Sequence, residues 1–180
     1  MRRIFLSAGH SDVPDQDRGA ISGKYIEGEL AEDLRKQIAF ELKKKGINCI
    51  LDDHSNVTKD TVRLFRRLVK QPDIAIDIHF NAAEFVATGT EVIIPDINTE
   101  FERTIAKGIC YIISTSLGIK NRGVKPESYT PRKKLFWMTV PCENILIEVC
   151  FLTNENDMQN YFENKIRLAE NLADYLSKFI

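Results

Sequence analysis

Three residues stand where side chains could bind a metal or move a proton. His10 follows the apolar run IFLSA and Gly9, and His79 ends a second run, IAIDI, with Asn81 two residues on. Glu148 falls late in a third run, ILIEVCF, where a carboxylate is costly unless paired or bound. Two neutral imidazoles and a carboxylate are a sound ligand set for zinc, with one position left to water. The metal's charge lowers the pKa of that water, so hydroxide becomes available near neutral pH. A second carboxylate, close but not bound, can take the proton and pass it to a leaving amine. The pattern offers His10 and His79 for the metal and several acids for the remaining roles. The competing assignments are structural: strand-end histidines held by loop hydrogen bonds, and a Glu148 satisfied by a basic partner. His54, in the polar loop DDHSN, reads as a surface residue on an edge suited to substrate contact.

The elements that must position these residues alternate. IFLSA is a short buried strand; Ile26, Leu30, Leu34, Ile38 and Leu42 then recur every four residues, the mark of an amphipathic helix that Gly46 stops. INCIL is a second strand, residues 58 to 70 a second helix, and the run holding His79 a third strand. TEVIIP, KLFWM and ILIEVCF are further candidate strands, with helices over about 100 to 117 and at the end of the chain. Strands separated by helices predict an α/β fold: a mainly parallel twisted sheet of about six strands with helices on both faces. Ligands in that architecture bind beyond the carboxyl ends of the strands. His10, His79 and Glu148 would share that edge.

With 180 residues and no repeat or Pro- or Gly-rich linker, residues 1–180 are expected to form a single domain. A formal net charge of -1 gives no basic excess, so no nucleic-acid partner is expected. The short basic runs, such as Lys43-Lys44-Lys45, read as solvated faces. No run approaches a membrane span. Cys49, Cys110, Cys142 and Cys150 show no close metal spacing and read as free thiols.

Several short motifs together resemble the zinc-dependent N-acetylmuramoyl-L-alanine amidases of the amidase 3 family, over essentially the whole chain. SAGH is similar to the family's first strand and ligand turn, and RGA to its following loop. YIEGELAEDL resembles the segment where a glutamate ligand opens the first helix, and DIHFNAAEFVATGTEVII the stretch with the second histidine. NRGVK resembles a family loop, and ILIEVCFLTNENDMQNY the family's catalytic strand with the loop after it. The resemblance implies one zinc ion held by His10, Glu27 and His79, with Glu148 as the catalytic carboxylate. Glu29 and Glu32 compete with Glu27; the resemblance favours Glu27, because Gly19-Ala20 stands at the family's usual distance before it and the apolar register of the helix follows from it. The chain departs from the family pattern at Ser11-Asp12, at Asp77 and at Cys150. Asp77 is a candidate hydrogen-bond acceptor for a ligand histidine.

The expectation is therefore a catalytic domain that hydrolyses the amide between N-acetylmuramic acid and L-alanine in peptidoglycan. Asn81, Arg122 and Lys125 are candidate substrate contacts. The alternatives are a zinc peptidase acting on another peptide amide and a non-catalytic wall-binding module. A monomer is expected, with no membrane partner. Because the apolar part of MRRIFLSAGH is short, the chain is expected to be cytoplasmic as synthesised and to act on the wall after release or delivery.

Overall fold

The computed structural model describes residues 2–52 and 58–180. Strand β1 (Ile4–Ala8) is buried along its whole length, so both faces of its pleat are covered. A small antiparallel hairpin, β2 (Ile21–Ser22) with β3 (Tyr25–Ile26), leads directly into helix α1 (Glu27–Lys44). The helical periodicity that begins at Ile26 therefore becomes helix one residue later. Then come β4 (Ile50–Leu51), α2 (Thr58–Leu68), β5 (Ile74–Asn81), β6 (Thr90–Ile94) and α3 (Glu100–Leu117). The chain closes with β7 (Asn121–Pro126), β8 (Glu143–Phe151) and α4 (Glu155–Leu176).

The six-stranded sheet has the order β4-β1-β5-β8-β6-β7. Every pairing is parallel except β6 with β8. That reversal brings the amino ends of β6 and β7 to the same edge as the carboxyl ends of β1, β5 and β8. The expected mainly parallel α/β sheet is what forms.

Alternation along the strands separates two cores. Ile4, Leu6, Ile76, Ile78, Ile145 and Ile147 face α1, α3 and α4. Phe5, Ala75, Ile93 and Leu146 face a thinner layer made by Val62 and Phe65 of α2, together with Trp137 and Val140. Phe65 meets Phe5 and Trp137 edge-on, with centroids 5.1 and 5.8 Å away. Such pairs are worth about 0.5–1.5 kcal/mol each beyond area burial. The thin layer covers only part of its face, and the carboxyl-end residues on that side carry polar groups.

Two expectations need correction. KLFWM is no strand: Phe136–Thr139 is a 3₁₀ turn, and the indole of buried Trp137 donates to the carbonyl of Ile145 at 3.2 Å. Its apolar residues cap the sheet face instead of extending the sheet. NRGVK is no loop: it is the half-buried edge strand β7, paired with β6 across a register shift. INCIL contributes only its last two residues to the sheet. All four cysteines are free; burial pushes the Cys49 thiol up to about 11 and the Cys142 thiol up to about 12. No described helix is long and apolar enough to cross a membrane.

Candidate metal centre

The turn after β1 places His10 at the sheet edge, and two glycines allow the close approach. A Cβ on Gly9 would lie 2.0 Å from Nε2 of His79, so any side chain there collides with the second imidazole. Gly19, at φ +72°, lets the loop after His10 pass so close that a Cβ would fall 2.5 Å from Oε2 of Glu27. The loop is stitched to the start of α1: Glu27 N donates to Ala20 O at 3.0 Å and Gly28 N to Arg18 O at 3.0 Å. These bonds satisfy amide groups that a helix start leaves open.

Glu27 is buried between the two histidines. Its Oε1 lies 2.9 Å from Nδ1 of His79 and accepts from Phe80 N at 3.2 Å. Its Oε2 accepts from Ala20 N at 2.8 Å and lies 3.5 Å from Nε2 of His10. Burial alone would raise the Glu27 pKa, but His79, His10 and the Ala20 amide outweigh it and hold the carboxyl below its usual range. His79 is governed by the same competition. Burial disfavours its charged form, yet Asp77 and Glu27 prevail and raise it well above the ordinary histidine value. Asp77 Oδ2 stands 3.1 Å from Nε2 of His79, which leaves Nδ1 turned to Glu27. The imidazoles meet edge-on at 87°, with centroids 5.0 Å apart.

One donor atom from each of His10, Glu27 and His79 lies within 4.8 Å of the others. Beside them, Glu148 pairs in register with His79 on one side and Glu91 on the other. Its Oε2 is buried and, among the described residues, has no hydrogen-bond partner. Burial pushes the Glu148 pKa up to about 8, with Glu27, Glu91 and Asp77 adding to the rise and His79 opposing it. Two imidazoles sharing a carboxylate, next to an unpartnered acid, suit a hydrolytic metal centre.

The family described as N-acetylmuramoyl-L-alanine amidase, amidase 3, matches residues 4–178. The chain belongs to that family. The uncharacterised protein YqiI of Bacillus subtilis (strain 168) is 26% identical over 160 residues, covering 87% of this chain and 73% of that one. The N-acetylmuramoyl-L-alanine amidase LytC of the same organism is 29% identical over 161 residues, covering 86% of this chain but 30% of LytC. The fold is similar to that of the N-acetylmuramoyl-L-alanine amidase from Clostridium difficile 630, with TM-score 0.82 and 23% identity. That match covers 99% of this chain and 96% of the other. The protein is a peptidoglycan amidase, a hydrolase of the cell wall.

Within this amidase the rival acids of α1 have other partners. Glu29 pairs with Arg18, and Glu32 is buried against Arg35 and Lys36. Asn81 and Arg122 both reach the site edge, where their side chains converge on Glu91. Lys125 lies over the Tyr129 ring, 4.7 Å from its centroid. His54 lies outside the described residues.

Two site-edge acids went unnoticed in the sequence. Glu91 is a carboxylate inside the apolar run TEVII, the same signal that singles out Glu148. Asp157, in the first turn of α4, accepts from Thr88 Oγ1 at 2.5 Å and from the amides of Gly89 and Phe151 at 3.0 Å. It ties the end of β8 to the start of β6, a long-range task that a first-turn acid does not advertise.

Proposed function

We propose that this chain, acting as one catalytic unit, uses a single zinc ion to hydrolyse the amide between N-acetylmuramic acid and L-alanine in peptidoglycan. The observation that carries this reading is the clustering of the His10, Glu27 and His79 donor atoms within 4.8 Å of one another, beside the unpartnered Glu148. The set fits zinc: two nitrogen donors and one oxygen donor, with Asp77 holding His79 in one ring orientation. When bound, zinc supplies a Lewis acid and a water of lowered pKa.

His10, Glu27 and His79 hold the ion. Glu148 accepts a proton from the attacking water as the new C–O bond forms at the amide carbon. It returns that proton to the alanine nitrogen as the C–N bond breaks. The products are a lactyl carboxylate on the sugar and a stem peptide with a free amino terminus. Glu148 suits this role by position: it is half-buried beside the His10, Glu27 and His79 cluster, and among the described residues its Oε2 has no hydrogen-bond partner.

Purified sacculi test this directly. Stem peptides beginning with free L-alanine should be released while the glycan strands stay intact. Chelation should stop the release and zinc restore it, with one metal bound per chain. Cleavage inside the stem, or release indifferent to chelation, would refute the proposal.

A further inference from the structure

One cation on the rim has no part in the proton transfers above. Arg122, the second residue of β7, donates from Nε to Oε2 of Glu91 at 2.9 Å. The other oxygen of Glu91 accepts from Nδ2 of Asn81 at 3.1 Å. The guanidinium carbon of Arg122 sits 5.0 Å from the centroid of the Phe151 ring. A hydrogen bond at the neck and an aromatic face beneath thus fix the orientation of the group. Among the described residues, neither Nη1 nor Nη2 meets an acceptor. The Arg122 side chain is 32% exposed and that of Glu91 only 11%.

Glu91 is a costly residue to keep here. It stands directly opposite Glu148 in the antiparallel pair, and like charges so placed are destabilising. A half-exposed ion pair with Arg122 contributes little by itself. The arrangement makes sense when the task of Glu91 is to aim the guanidinium. An arginine fork held in advance loses little side-chain freedom on binding, and its two terminal nitrogens match the two oxygens of a carboxylate.

We infer that Arg122, aimed by Glu91, is a subsite for a carboxylate of the stem peptide. This rests on the amidase reading above, and it makes the enzyme selective for stems whose carboxylates are free over stems in which they are amidated. Arg122 binds substrate; Glu91 is a positioning residue.

Matched synthetic muramoyl peptides test it with the full, zinc-loaded chain. One set carries free internal and terminal stem carboxylates. The others carry a carboxamide at the internal position, the terminal position or both, which identifies the carboxylate that is bound. The wild type should prefer the free acid over one of the amides by about 10–100-fold in kcat/KM, chiefly through KM, the size of a lost charge-assisted contact. Arg122→Gln should bring that ratio close to one. Arg122→Lys should retain part of it, and Glu91→Gln should lower it, with melting temperatures confirming that each variant is folded. Cleavage of every substrate with no preference, or an Arg122→Gln enzyme with the wild-type ratio, overturns the subsite alone. A wild type that cleaves no muramoyl peptide overturns the amidase reading, and the subsite falls with it.

Discussion

At the amino end of the sheet, Asp73 accepts from the amides of Arg3 at 3.1 Å and Lys70 at 2.9 Å, and from Nη2 of Arg3 at 2.5 Å. Nearby, Glu143 accepts from the Thr99 hydroxyl at 2.7 Å, and Glu102 accepts from the amides of Thr99 at 2.8 Å and Asn144 at 2.7 Å. At the carboxyl end of the same strands, Oε2 of Glu148 and Oδ1 of Asp77 are buried and, among the described residues, accept nothing. Buried carboxylate oxygens stand at both ends, so burial alone does not distinguish them. What separates them is whether the protein supplies donors. Satisfied acids lock elements together, whereas unsatisfied ones are kept for a proton, a metal or a substrate.

The contrast can be broken most sharply at Glu148. Glu148→Gln should lower the cleavage rate by about 10²–10⁴ while leaving bound zinc and fold intact. Its melting temperature should equal or exceed the wild type, because the change removes an uncompensated carboxylate. A marked loss of stability would make Glu148 a structural acid like those at the other end. Glu102→Ala should do the reverse. It removes the capping box of α3 and strands the Asn144 amide, at a cost of about 1–3 kcal/mol in urea unfolding, with metal content unchanged in the folded protein.

The smallest effect is expected from acid at Asp73. Burial pushes its pKa up, but the bonds from Arg3 and Lys70 prevail and hold it below the usual carboxylate range. A carboxyl depressed on folding stabilises fully above its unfolded pKa, and that contribution is lost as pH falls through the folded value. The stability gap between wild type and Asp73→Asn should therefore narrow on acidification below the usual carboxylate range. A gap that stays constant with pH would remove Asp73 from the satisfied set.

Much of this division was legible in the sequence, for identifiable reasons. His10 and His79 betray themselves by standing at the ends of apolar runs, and Glu148 by interrupting one. Glu27 is different. A first-turn acid is commonplace, Glu29 and Glu32 share its type, and only family resemblance favoured it. Its neighbours show why composition was insufficient: the three acids differ in the partners they meet, Arg18 for Glu29 and Arg35 for Glu32. The edge strand β7 was hidden because a strand with one free side and half-buried residues has no apolar run to display. KLFWM misled for the opposite reason, since its apolar residues serve a cap over the sheet. Glu91 carries the same readable signal as Glu148, a carboxylate inside an apolar run.

The antiparallel turn of β6 against β8 has a further meaning. Strands running one way bring His10, His79 and Glu148 to the shared edge, while the two running the other way bring Glu91 and Arg122. On the roles proposed above, chemistry and recognition come from separate, oppositely directed parts of one sheet. Laboratory evolution could retune which wall peptides are accepted by editing the reversed pair alone, leaving the hydrolytic machinery as it stands.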